Sequence, residues 1–72
     1  MNMRKRGEKM QVNREKIEIA MAAKKYSIVN LAELYGVSHQ RMRVILNSQK
    51  VSTVTAGKLA DALGVPVTDI ID

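Results

Sequence analysis

At 72 residues the chain is sized for one small domain, and its 46% apolar content is too high for a disordered segment. It has no Cys, Phe or Trp, which excludes disulfide staples and Cys-based zinc sites and leaves Ile, Val, Leu, Ala and Met to fill a core of small packed helices. The net charge of +5 is spread unevenly, as +3 over residues 1–12, +4 over 13–50 and −2 over 51–72, an asymmetry suited to holding one face against a polyanion. There is no apolar run of about 18 residues and no signal-peptide pattern, so the expectation is a soluble, cytoplasmic protein with no membrane partner.

In chain order, residues 1–12 are polar, basic and aperiodic and read as a flexible arm, with the folded domain expected over 13–72. Asn13 is placed to cap a first helix over 14–25, in which Ile17, Ala20, Met21 and the stem of Lys24 share a stripe. Ser27 caps a second helix ending near Tyr35, with Leu31, Ala32 and Leu34 as its apolar positions. Gly36 suits a turn of positive φ, Val37 follows as a hydrophobic plug, and Ser38 caps a third helix. Within that helix Met42, Ile45 and Leu46 recur at core spacing, so Gln40, Arg41, Arg43, Val44 and Asn47 point elsewhere. Residues 48–51 read as a loop. Ser52 starts a fourth helix to Leu63 with Ala56, Leu59, Ala60 and Leu63 in register, and Gly57 inside it costs roughly 1 kcal/mol relative to Ala. Gly64 ends that helix. Pro66 then sits near the first turn of a last short helix over 65–71 that brings Val65, Val67, Ile70 and Ile71 toward the core. Gly36, Gly57 and Gly64 are spaced for helix ends and crossings.

The inventory argues against catalysis. No nucleophile is paired with a base, no Gly-rich loop is present to cradle a phosphate, and His39 stands alone without the partners a metal site needs. Tyr26 and Tyr35 are too few and too badly spaced to form a stacking platform for single-stranded nucleic acid. No cofactor and no small-molecule effector is expected.

Three segments carry a family resemblance. Leu31-Ala32 with Gly36-Val37-Ser38, Met42 and Ile45 has the spacing of a helix-turn-helix. Ser52 and Thr55 lead into Lys58-Leu59-Ala60-Asp61-Ala62-Leu63-Gly64-Val65, and the chain closes on Val67–Ile71. In this order, over about residues 14–71, the sequence resembles the Cro/C1-type (XRE-like) helix-turn-helix domains of phage repressors and bacterial regulators. The resemblance implies an all-α, compact five-helix lambda-repressor-like DNA-binding domain and a double-stranded DNA partner. It makes the helix starting at Ser38 the recognition helix. His39, Gln40 and Val44 match base-contacting positions, and Asn47 matches a backbone-contacting one. Three departures stand out: Ile28 replaces a polar brace, Met21 and Leu46 replace an Arg–Glu pair with two apolar residues, and Val51 occurs where Pro is common.

The expected interface follows. His39, Gln40, Arg41, Arg43 and Val44 are the base-reading candidates, since Gln can pair with adenine, Arg with guanine, and Val with a thymine methyl. Lys24, Lys25, Ser27, Ser38, Asn47 and Lys50 are candidate phosphate contacts. Arg4, Lys5 and Arg6 form a candidate minor-groove arm. One module this small covers few base pairs, which points to a homodimer, with Val54, Val65, Val67, Ile70 and Ile71 as candidate dimer surface. The function expected is a transcriptional regulator that represses by occlusion. An excisionase-like or architectural protein of a mobile element, an antitoxin, and a protein-interaction module of the same fold are the alternatives.

Overall fold

The computed structural model describes residues 9–72. Arg4, Lys5 and Arg6 lie outside the described residues. Helix α1 (Arg14–Lys24) is capped by Asn13, whose extended backbone lets its Oδ1 accept the Lys16 N–H at 2.9 Å. It ends one residue earlier than its periodicity suggests, because Lys25 turns into the left-handed region at φ 60°. There the Lys25 N–H donates to the Ala22 carbonyl and the Tyr26 N–H to the Met21 carbonyl. Helix α2 (Ile28–Tyr35) opens with Ser27 and closes on Gly36, at φ 95°. Helix α3 (His39–Asn47) follows after two residues, and Ser38 Oγ caps it by accepting the Arg41 N–H at 3.2 Å. Helix α4 (Thr53–Leu63) is capped by Ser52 and ends at Gly64, φ 71°.

Two expectations of irregular chain are corrected. Strand β1 (Lys9–Gln11) pairs antiparallel with β2 (Lys50–Ser52), in the register Lys9 with Ser52, Met10 with Val51 and Gln11 with Lys50. The end of the supposed arm and the supposed 48–51 loop are therefore one small sheet. Val12 is buried and bridges to Ile71, and its N–H donates to the Gln49 carbonyl at 3.0 Å. Met10 and Val12 face inward while Lys9 and Gln11 face out, the two-residue alternation of a strand. At three residues that pattern is too short to stand out in a sequence.

The fifth helix is corrected as well. Only a 3-10 turn, Val67–Asp69, forms after Pro66, so the fold has four α-helices and an open two-stranded sheet among the described residues. Pro66 contributes no N–H, and at Ile70 the backbone leaves the helical region to hand its carbonyl to the Asn13 N–H at 2.7 Å. The Asp72 N–H then donates to the Gln11 carbonyl at 3.2 Å. Pairing with residues 11–13 thus takes the backbone groups that another helical turn would have used.

The core is aliphatic, with Ile17, Leu31, Met42, Leu59, Leu63 and Ile70 fully buried. Helix α2 packs on α3 and α4, and α4 in turn meets α1, both strands and the 3-10 turn. The buried stripe of α2 runs Ile28, Leu31, Ala32, Tyr35, whereas Leu34, expected inside, is 54% exposed. Met21 packs against the cluster that contains Leu46, in keeping with an apolar replacement of the ion pair. A Cβ added at Gly57 would meet nothing within 4 Å, so no helix crosses there.

One member of the candidate dimer surface, Ile70, is corrected to the core. Ile70 is wholly buried, and Val65, Val67 and Ile71 are partly buried against the core, which leaves Val54, 69% exposed, as that surface's one open member. With no large aromatic to fill the interior, the C-terminal aliphatics complete this core. Among the described residues, no helix is long and apolar enough to cross a membrane.

Candidate nucleic-acid interface

The turn between α2 and α3 aims the site. Gly36 and Val37 both donate their N–H groups to the Ala32 carbonyl, at 2.8 and 3.0 Å, which ends α2 abruptly and starts α3 in a new direction. Helix α3 then buries Met42, Ile45 and Leu46. The remainder of its turn is open: His39, Gln40, Arg41, Arg43, Val44 and Asn47 are all exposed. Helical spacing puts Gln40, Val44 and Asn47 on the crest opposite the core, with His39 and Arg43 along one side. Val44 is 54% exposed, an apolar group standing among cations.

Arg41 lies on the other flank. With Lys9, Tyr35, Val37, Val44, Ser48, Ser52 and Thr55 it lines a shallow groove of about 450 Å³ between α3 and the start of α4. Lys9 is a residue that sequence reasoning left in the arm, and strand β1 is what delivers it beside the third helix. Lys50 is exposed on the neighbouring strand. Arg41, Arg43 and Lys50 make no salt bridge among the described residues, so their charge is not neutralised by those neighbours.

Other candidates are more occupied than their sequence suggested. At the start of α2, Ser27 Oγ accepts the Asn30 N–H at 3.2 Å, and the Asn30 Oδ1 accepts both the Ser27 N–H and its hydroxyl at 3.0 Å. This closed capping box uses Asn30, where Glu or Gln is the usual partner. Ile28 is turned into the core, so the missing polar brace has become a packing contact. The Lys24 ammonium lies against the C-terminus of α4, where a Cβ on Gly64 would come within 3.2 Å of its Nζ. A cation is favoured at that negative helix end. Lys25 shares a surface hollow with Lys24, Tyr26, Asn30, Glu33 and Leu34. Lys58, which carried no expectation, stands 4.9 Å from the Tyr35 ring centroid and ties α4 to α2 by a cation–π contact.

The far end of α3 is held from α1. Arg14 Nη1 donates to the Leu46 carbonyl and to Asn47 Oδ1, both at 3.0 Å, while its Nε donates to Glu18 at 3.0 Å. Ser48 contributes its hydroxyl to the Val44 carbonyl at 2.9 Å and its N–H to the Ile45 carbonyl at 3.2 Å. Three of the last four carbonyls of α3 are thereby satisfied.

The sequence profile of the Cro/C1-type HTH DNA-binding domain matches residues 16–72, which is most of the chain and includes α2, the turn and α3. The chain belongs to this family. Solved structures agree on the fold. Native PhpD with cadmium is 27% identical with a TM-score of 0.69, and a mutant of hydroxyethylphosphonate dioxygenase is 27% identical with a TM-score of 0.70. Each likeness covers 88% of this chain and 14% of the other, so the chain spans about a seventh of the length of these structures. No curated protein gives a match. In Cro/C1-type terms, α2 and α3 are the two helices of the motif. Among the described residues of this family member no group of three His, Cys, Asp or Glu is placed to hold a metal.

Proposed function

We propose that this chain is a sequence-specific regulator of transcription that binds double-stranded DNA by laying α3 in the major groove. The observation that carries the reading is the division of α3 into a buried face and an open crest of Gln40 and Val44 flanked by His39, Arg43 and Arg41. These side chains match base edges: Gln to adenine, Arg to guanine, Val to a thymine methyl, each good bidentate pair discriminating by about 1–3 kcal/mol. Ser38 and Asn47 at the ends of this helix and Lys50 on the neighbouring strand serve as backbone contacts, with Lys25 at the end of α1 and Ser27 at the start of α2 beside them. Lys24 is the weakest member of that set, since its ammonium is already seated at the end of α4.

One recognition helix reads only a few base pairs, so useful specificity calls for two copies on a symmetric or repeated site, half-sites about 34 Å apart. Binding there occludes the promoter, which makes repression the output. Selection from random duplexes with purified protein, followed by titration over a range of salt, tests the proposal. Gln40→Ala should erase the preferred site. Lys50→Ala should weaken every sequence alike and lower the salt slope by about one. Absence of both sequence preference and salt dependence would refute it.

A further inference from the structure

The recognition helix carries a problem at its C-terminus that α1 solves. Unpaired carbonyls give that end of a helix a partial negative charge, which repels a phosphate. Asn47 sits there, exposed, on the same crest as Gln40 and Val44. Its amide can present either an oxygen or an NH₂ group outward, and only the NH₂ can bond a phosphate.

Arg14 decides between the two. A guanidinium is purely a donor, so the Asn47 group facing it at 3.0 Å must be the oxygen, which leaves the amide NH₂ turned away from α1 and toward solvent. The same Nη1 takes the Leu46 carbonyl at 3.0 Å in a partly buried contact, and Glu18 grips the other side of the guanidinium through Nε. The side chain is thus held at three points, with a positive charge against the negative end of α3.

We infer that Arg14 and Asn47 form a phosphate clamp at the trailing end of the recognition helix. Asn47 Nδ2 donates to a DNA phosphate, and Arg14 is the positioning residue that fixes the amide. The inference rests on the DNA-binding reading, which already gives Asn47 a backbone contact, and adds Arg14 as the residue that turns its amide toward the phosphate.

A double-mutant cycle on the full chain tests it. The probe is a random-sequence duplex of about 20 base pairs, since a phosphate contact needs no particular sequence. Asn47→Ala should weaken binding about tenfold, the loss of one hydrogen bond to a charged acceptor. Arg14→Met, which keeps the stem but donates nothing, should cost about threefold to tenfold alone and less than about twofold in the Asn47→Ala background. Additive effects would overturn the positioning role. A second variant removes dependence on Arg14 folding effects. Asn47→Asp keeps an acceptor for Arg14 but points a carboxylate at the phosphate, so the melting temperature should hold while affinity falls by more than about tenfold. If Asn47 only braces the helix end, the neutral Asn47→Ala will bind within about twofold of the parent, and the clamp is wrong. A parent chain that fails to bind the duplex at any salt overturns the DNA-binding reading itself and the clamp with it. Parent binding with unaffected variants overturns the clamp alone.

Discussion

Gly36 and Gly57 invite the same substitution with opposite outcomes. At both positions an added Cβ would find nothing within 4 Å, so neither substitution to alanine involves a clash or a new contact. Backbone conformation alone decides. Gly36 sits at φ 95°, where an L side chain is strained by roughly 1–2 kcal/mol, partly offset by about 0.4–1 kcal/mol from a stiffer unfolded chain. Gly57 lies inside α4, where alanine is favoured over glycine by about 0.8–1.0 kcal/mol. Gly36→Ala should therefore lower stability by about 1 kcal/mol and Gly57→Ala should raise it by about as much. In a domain of this size that separates the two melting temperatures by roughly 8–16 °C, at about 4–8 °C per kcal/mol. Thermal unfolding followed by circular dichroism reads both. Shifts of the same sign would refute the reasoning, because the only difference invoked is φ.

Three more outcomes follow from the same geometry. Ile70→Ala should cost about 2–5 kcal/mol in urea titration as a cavity in the core, whereas Val54→Ala should stay within about 0.5 kcal/mol, reversing the ranking expected if both lay on an open dimer face. Lys25→Gly should stabilise by a few tenths to about 1 kcal/mol in the same titration, since it relieves a side chain at φ 60°. In hydrogen exchange the Val12 and Asn13 amides, bonded to Gln49 and Ile70, should be protected alongside the helices, and Val12→Asp should abolish that protection together with much of the stability.

The helices were legible because their signals are local. Asn13, Ser27, Ser38 and Ser52 each cap the helix they precede, and Gly36 and Gly64 each end one, in left-handed turns that favour glycine. Lys25 takes the same conformation without that marker, and so the end of α1 was misplaced by one residue. Periodicity assigned the buried face of α3 and, by subtraction, the exposed row that would meet DNA. It failed in α2, where Leu34 and Tyr35 compete for the stripe and packing chose Tyr35.

What the chain by itself determined was therefore the set of elements whose energetics are settled within a few residues: helix starts, helix stops, and the face each helix turns inward. Tertiary structure decided everything that depends on distant partners. Residues 9–12 become a strand only because 49–52 and 70–72 come alongside to share their hydrogen bonds, and the last helix gives way to a 3-10 turn for the same reason. Ile70 joins the core, and Val65, Val67 and Ile71 pack partly against it, because the fold brings the C-terminal end back onto the helices. Arg14 reaches the end of α3 across 33 residues of chain, a pairing that no local pattern encodes.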